Sequence, residues 1–281
     1  MKKLSMLILF LLPSLIVLAQ EVDTRDFMEA EIILKDKNGK NSSLENVVQA
    51  AENRPLVFFG ELHDNKMAHE VQLKLLSLFH KVQPTVVLGM EMFETDVQQV
   101  IDEYFADLIS QKSFESEARV WSNYQNDYKP LLEFAKANKI RLIASNVPRR
   151  YANAVYKQGI IVLDKFDSRA RSFMAKLPLQ VDTTLSTYQD MREMLPGHDA
   201  TNMIYSQALK DATMAEFILK NYQEGQVFLH INGVYHSKMK EGIISFFPKE
   251  IQQKVLTINT IKREEVTPEI LATADFTLIV D

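Results

Sequence analysis

The apolar positions of this chain fall into short continuous runs, separated by longer stretches where they recur every three or four residues. Four runs stand out: Pro55–Glu61, Thr85–Glu91, Arg141–Asn146 and Gln226–Ile231. Each is short, rich in β-branched, aromatic or aliphatic residues and bounded by turn signals, the pattern of a strand buried on both faces. Amphipathic stretches lie between them. Lys66–His80 carries Val71, Leu75 and Leu78 on one side, Tyr128–Asn138 precedes the third run, and Asp199–Tyr222 precedes the fourth. Strand, helix, strand at this spacing is a βαβ unit, so the strands are expected to be parallel with right-handed crossovers. Glu31–Lys35 reads as a short strand followed by an Asn38-Gly39 turn, Ser43 as the cap of a helix to about Glu52, and Val255–Ile261 and Phe276–Val280 as later strands. The predicted fold is α/β: a mainly parallel central sheet flanked by helices on both faces. Two stretches, about Asp96–Trp121 and Leu163–Leu195, are rich in Met, Phe and Tyr and poor in glycine; they are expected as helical insertions packed over one edge of the sheet.

The first residues change the picture of where the chain works. Met1-Lys2-Lys3, an apolar run from about Met6 to Leu18 and the small-residue exit at Ala19 form a secretory leader, with cleavage expected after Ala19. The run is too short for a membrane span and Pro13 interrupts it. Residues 20–281 are then one α/β domain, with its motif-bearing core over about 55–247. At 46% apolar residues the chain has ample material for a core. The formal net charge is −5, without a basic run, which argues against a nucleic-acid surface. There is no cysteine, which excludes disulfides, thiolate metal sites, haem attached through cysteine and a lipid on cysteine. A periplasmic location follows as the expectation.

In open α/β sheets ligands bind beyond the carboxyl ends of the strands. Those ends read Gly60-Glu61-Leu62-His63, Gly89-Met90-Glu91, Ser145-Asn146 followed by Pro148-Arg149-Arg150, and Asn232-Gly233-Val234-Tyr235-His236. Glu61, His63, Glu91, Asn146 and His236 are therefore expected to gather at one edge. Gly60, Gly89 and Gly233, three of only eight glycines, stand beside a carboxylate or an imidazole and read as part of that site. His69, in the first turns of the next helix, is placed to point back at it. Carboxylate plus imidazole suits three chemistries. Glu61, His63, Glu91 and His236 could ligate a divalent metal and activate its water. A Glu–His pair could do acid–base work alone. A polar cluster with nearby Tyr and Arg could hold haem. Gln207 and Asp211, four apart, read equally as a hydrogen-bonded pair on a solvated helix face or as site residues. His80 reads as a helix-end residue, His230 as a satisfied core or face histidine, His198 as capping or packing, and Trp121 and the tyrosines of the insertions as packing.

Gly60-Glu61-Leu62-His63-Asp64-Asn65, with His69 and Gln72 after it, is similar to the opening motif of the ChaN-like haem-binding uptake family. The likeness continues through Gly89-Met90-Glu91-Met92, Ala144–Arg149, Gln207–Ala215 and Asn232–His236, in order, over roughly Val57 to Phe247. The resemblance implies an exported α/β protein of bacterial iron uptake that binds haem, with possible pairing of haems at a homodimer interface and an outer-membrane haem receptor as partner. On that reading His63, His69, Asn146, Arg149, Tyr151, Gln207, Asp211, Gly233, Tyr235 and His236 are the cofactor-binding candidates. Tyr151 and Tyr235 are the tyrosines proposed for the iron. Family members are often lipoproteins, and a chain without cysteine departs from that pattern. The same superfamily holds Tiki-type, TraB-type and erythromycin-esterase-like proteins. The rival reading is therefore a metal-dependent hydrolase or protease in which Glu61, His63, Glu91 and His236 are ligands or catalytic groups.

Overall fold

The alternation expected from the pattern is present in the computed structural model, which describes residues 32–83, 85–194 and 200–281. The leader at 1–19, Glu31 and His198 lie outside the described residues. Eight strands form one sheet: β1 Ile33–Asp36, β2 Asn41–Ser42, β3 Leu56–Glu61, β4 Val87–Glu94, β5 Arg141–Asn146, β6 Phe228–Gly233, β7 Val255–Lys262 and β8 Phe276–Val280. Their order is β2-β1-β8-β7-β3-β6-β4-β5. The six from β8 to β5 are mutually parallel, and β1 and β2 add an antiparallel hairpin against β8. The sheet is thus mixed but mostly parallel. β6, late in the chain, inserts between β3 and β4, so the carboxyl ends of three runs distant in sequence become neighbours.

Both faces of the sheet are covered, as continuous apolar strands require. Val57 and Phe59 of β3 join Leu88, Ala144, Leu229 and the helix Lys66–Val82 on one side. Leu56 and Phe58 join Val87, Ile143, Phe228 and the long helix Ala200–Asn221 on the other. Each fully buried large side chain contributes roughly 1.5–3 kcal/mol relative to exposure. Local signals start the helices as read: Ser43 accepts from the Asn46 amide and Asn65 from the Ala68 amide. Among the described residues no helix is long and apolar enough to cross a membrane.

Both insertions contain helices, in short pieces. The first breaks into the helices Gln98–Phe105 and Gln111–Glu117, with Asp107 and Arg119 in the left-handed region. The second contains the short helix Ser168–Arg171 and the helix Ser186–Met194. Ile101, Tyr104 and Phe114 enlarge the core on the face of Phe59, whereas Leu163 and Met174 pack with Leu209 of the long helix on the other side. Within the first insertion Gln98 also closes the exposed edge of β5. Its side chain donates to the Leu142 carbonyl at 2.9 Å and accepts from the Ala144 amide at 2.7 Å, as a neighbouring strand would.

Gly89 makes room for side chains of the neighbouring strand β6, and Gly60 for the turn that follows β6. A Cβ at Gly89 would lie 2.6 Å from the Phe228 ring and 2.7 Å from His230, and one at Gly60 would meet the Val234 backbone at 3.0 Å. Gly89→Ala is therefore expected to destabilise the protein by about 1–3 kcal/mol through overpacking. Urea unfolding checks this; an unchanged midpoint would refute it.

Candidate functional site

The carboxyl ends of β3, β4, β5 and β6 form the floor of a cleft of about 830 Å3. Parallel register sets Glu61 opposite Gly233. β4 continues past Met90, and its pairing with β5 slips before Glu94 meets Asn146. Glu91 sits in that irregularity, a device that re-aims a side chain at a sheet rim. Glu61, His63, Glu91, Asn146, Arg149, Gln207, Gly233, Tyr235 and His236 line the cleft, together with Leu62, Asp64, Glu94, Trp121, Val147, Met191, Lys210 and Val234.

Two carboxylate–imidazole pairs organise the floor. Glu61 is buried and accepts four contacts. His63 Nδ1 lies 2.8 Å from its Oε1, the Tyr128 hydroxyl donates to the same oxygen at 2.6 Å, Gln72 donates to Oε2, and His69 Nδ1 stands 3.4 Å from Oε2. Burial disfavours the carboxylate, but the bonds from His63, His69 and Tyr128 prevail and hold its pKa below the ordinary value. The second pair centres on His236, also buried. Its Nε2 is 3.1 Å from Glu91 Oε1, its Nδ1 contacts Asp211, and the Tyr188 hydroxyl donates to the far oxygen of Asp211 at 2.7 Å. Burial opposes a charged His236, yet Glu91 and Asp211 outweigh it and push the pKa up to about 10. Glu91 is driven well below the carboxylate range against its own burial, chiefly by His236. Its other oxygen accepts from the Gly233 amide at 2.7 Å.

Gly233 joins the pairs. A Cβ there would fall 2.6 Å from His63 Nε2, so the imidazole lies directly against the backbone of β6. The His63 side chain keeps 44% of its surface exposed, with Nδ1 committed to Glu61. Burial lowers its pKa, the Glu61 bond and the Glu91 charge raise it, and the net shift is upward. Trp121 stands edge-on to the same ring at 5.1 Å, and Asn123 donates to the His63 carbonyl at 2.9 Å.

The expected residues are not all together. His69 and Asp211 stand behind the floor, each supporting a residue that reaches the cleft. Tyr151 is not among the lining residues: it is buried against Phe166 at 4.8 Å, and its hydroxyl accepts from Arg150. Gln207 and Asp211 are no solvated pair. Both are buried, and each contacts His236, the Gln207 amide at 3.1 Å from Nδ1. His230 is the satisfied core histidine it was read to be, bonded to Ser145 and Asn232, with burial lowering its pKa to about 4. Sequence reasoning took Trp121 and Tyr188 for packing and passed over Tyr128 and Lys210. The tyrosines do pack, but their hydroxyls also bond the carboxylates. The one signal for this was an amphipathic helix whose buried stripe carries His69 and Gln72, polar groups that need a buried partner. Among the described residues no group of three or more His, Asp or Glu is arranged to hold a metal ion.

The family model described as "Haem-binding uptake, Tiki superfamily, ChaN" matches residues 47–246. No curated protein matches the chain. Among solved structures, the chain resembles ChaN of Campylobacter jejuni, described with cofacial haem binding, at 18% identity and a TM-score of 0.69, over 89% of this chain and 97% of that one. An erythromycin esterase, EreC, in its open conformation aligns at 10% identity and a TM-score of 0.48, over 89% of this chain and 82% of that one. RRSP, a MARTX toxin effector domain from Vibrio vulnificus, aligns at 15% identity and a TM-score of 0.42, over 86% and 38%. The first likeness shows the fold.

The charged floor makes stability depend on pH in a defined sense. The folded-state pKa of His236 is raised from 6.5 to about 10, so its contribution is complete below pH 6.5 and is lost as pH rises through 10. Glu91 is depressed, so its contribution is lost in acid. Unfolding free energies measured from neutral pH into alkali should fall toward the His236 pKa, and His236→Gln should flatten that limb; parallel limbs in both proteins would refute the assignment. Glu91→Gln removes one of two counter-charges and should cost about 3 kcal/mol near neutral pH.

Proposed function

The chain belongs to the ChaN-type haem-binding uptake family of the Tiki superfamily, and from that premise we propose that it is an exported haem- or iron-chelate-binding protein of bacterial iron uptake. The observation that carries the reading is His63. Its Nδ1 is held by a buried carboxylate, and its ring remains open on a large cleft. That is how proteins orient an imidazole for a ligand, and His63 would serve iron by drawing its Nε2 away from Gly233, against which it packs. Tyr235, 37% exposed and also lining the cleft, is the alternative iron ligand and the one that favours ferric iron. Leu62, Trp121, Val147, Met191 and Val234 supply apolar wall for a porphyrin face. These residues fit haem, which when bound would supply the iron. Glu61 orients His63, and Tyr128 and Gln72 hold Glu61. A periplasmic location, a haem-linked homodimer and delivery from an outer-membrane receptor belong to the same proposal.

The metal-dependent hydrolase reading draws less from this geometry. Its four candidate ligands are engaged pairwise, Glu61 with His63 and Glu91 with His236, and no group of three or more described His, Asp or Glu is arranged for a metal ion.

A haemin titration of the purified protein, followed by absorbance, tests the proposal. The expected result is saturation at a whole-number ratio with a shifted Soret band. A charge-transfer feature that Tyr235→Phe removes would identify the phenolate of Tyr235, and an imidazole-type Soret shift that His63→Ala removes the imidazole of His63. Glu61→Ala should weaken binding roughly 10–100-fold by releasing the His63 ring. Non-saturating, featureless binding would sink the haem reading.

A further inference from the structure

At the carboxyl end of β5 the chain turns through Asn146, Val147 and Pro148 into the helix Arg149–Gln158. Four features meet on this wall of the cleft. Asn146 lines the cleft and is only 9% exposed, yet its Oδ1 has no partner, and no described residue hydrogen-bonds its carboxamide. The helix begins at Pro148, which provides no side-chain cap, so its first amides are left without a side-chain acceptor. Arg149 lines the cleft without an ion pair or hydrogen bond to any described residue. Its neighbour Arg150 is spent on Asp96, and Arg119 on Glu94 and Asp96. Lys210, on the long helix, lines the cleft and is likewise unpaired among the described residues.

The packing of the two helices explains how Lys210 arrives there. A Cβ at Gly159 would sit 3.2 Å from Asn202, and Ser206 donates to the Ala152 carbonyl at 2.8 Å. Rising numbers on one helix therefore meet falling numbers on the other. One turn beyond Ser206 brings Lys210 to the start of the Arg149 helix. The acids of the neighbourhood are committed: Glu94, paired in register with Asn146, is held by Arg119, while Glu61 and Glu91 are held by imidazoles. Asp64 lies at the end of β3, across the floor.

We propose that this corner is a subsite for a carboxylate group of the ligand, accepting from the Arg149 guanidinium, the Lys210 ammonium, the first-turn amides of the helix and the Asn146 carboxamide, which no described residue fixes and which would turn to present its nitrogen in place of the unpartnered Oδ1. Oxyanions bind well at helix starts supported by cations. The inference deepens the iron-uptake reading and rests on it for the rest of the ligand, not for the carboxylate itself. The carboxylate has two possible sources, the propionates of a porphyrin or a free polycarboxylate that carries iron.

Trp121, the only tryptophan, lines the same cleft and reports binding by its fluorescence. The purified protein and an Arg149→Gln/Lys210→Gln variant are titrated, at constant ionic strength, with citrate, triethyl citrate, haemin and haemin dimethyl ester. Circular dichroism confirms that the variant is folded. The subsite predicts that at least one free acid binds about tenfold more tightly than its ester, and that this preference disappears in the variant. A preference shown by haemin alone assigns the corner to porphyrin propionates, and one shown by citrate assigns it to a free polycarboxylate. Citrate binding without any haemin binding would keep the subsite and remove the haem reading. Haemin bound equally as acid and ester, with citrate silent, would remove the subsite and keep haem. Acid preferences that persist in the variant, or no binding of any probe, would also overturn the subsite.

Discussion

Three carboxylates of this protein, Glu61, Glu91 and Asp211, are buried at the end of a sheet where water cannot solvate them. An isolated ionised carboxylate in such a place is untenable, so each must be matched by donors that are themselves held in position. Much of the local architecture follows from that demand. His63, His69, Gln72 and Tyr128 converge on Glu61; His236 and the Gly233 amide on Glu91; His236 and Tyr188 on Asp211. Removing one member leaves a buried charge without its partner, which is why the floor acts as a unit.

The matching draws on elements far apart in sequence, and this gives the non-sheet segments their purpose. The end of the first insertion and the turn that follows it bring Trp121, Asn123 and Tyr128 against Glu61 and His63. The helix Ser186–Met194 brings Tyr188 to Asp211, and it is anchored by the Glu241 carboxylate, which accepts from the Thr187 amide at its first turn. The segment after β6 is tightly wound, with Met239 and Lys240 in the left-handed region, and His236 and Glu241 pin it at two points. Tyr235 is thereby carried on a fixed stretch of backbone. The cleft combines an internally neutralised floor with a rim that carries Arg149 and Lys210, unpaired among the described residues. On the proposed reading, electrostatic discrimination belongs to the rim and orientation of an imidazole to the floor.

The pattern of the chain by itself determined the strands β3 to β8, the helices between them, their parallel arrangement and the end of the sheet at which polar residues collect. Continuous apolar runs can only be satisfied by burial on both faces, and ligand groups of such sheets lie beyond the carboxyl ends. Glu61, His63, Glu91, Gly233 and His236 were legible for that reason, as was His230 as a core residue. The motif order also marked the family.

What lies across the chain was decided by tertiary structure alone. Periodicity places Gln207 and Asp211 on one helix face but cannot say that the face meets a buried imidazole. It cannot distinguish a tyrosine that only packs from Tyr128 or Tyr188, whose hydroxyl completes a carboxylate. It set Tyr151 beside the candidate site, while the helix from Arg149 turns that ring into a separate apolar cluster. The insertion of β6 between β3 and β4 brought Gly233 under His63, and antiparallel packing of two helices brought Lys210 to Arg149. Sequence spacing constrains residues within one element, where backbone geometry is fixed; contacts between elements depend on strand order and helix register, which are set only when the whole core packs.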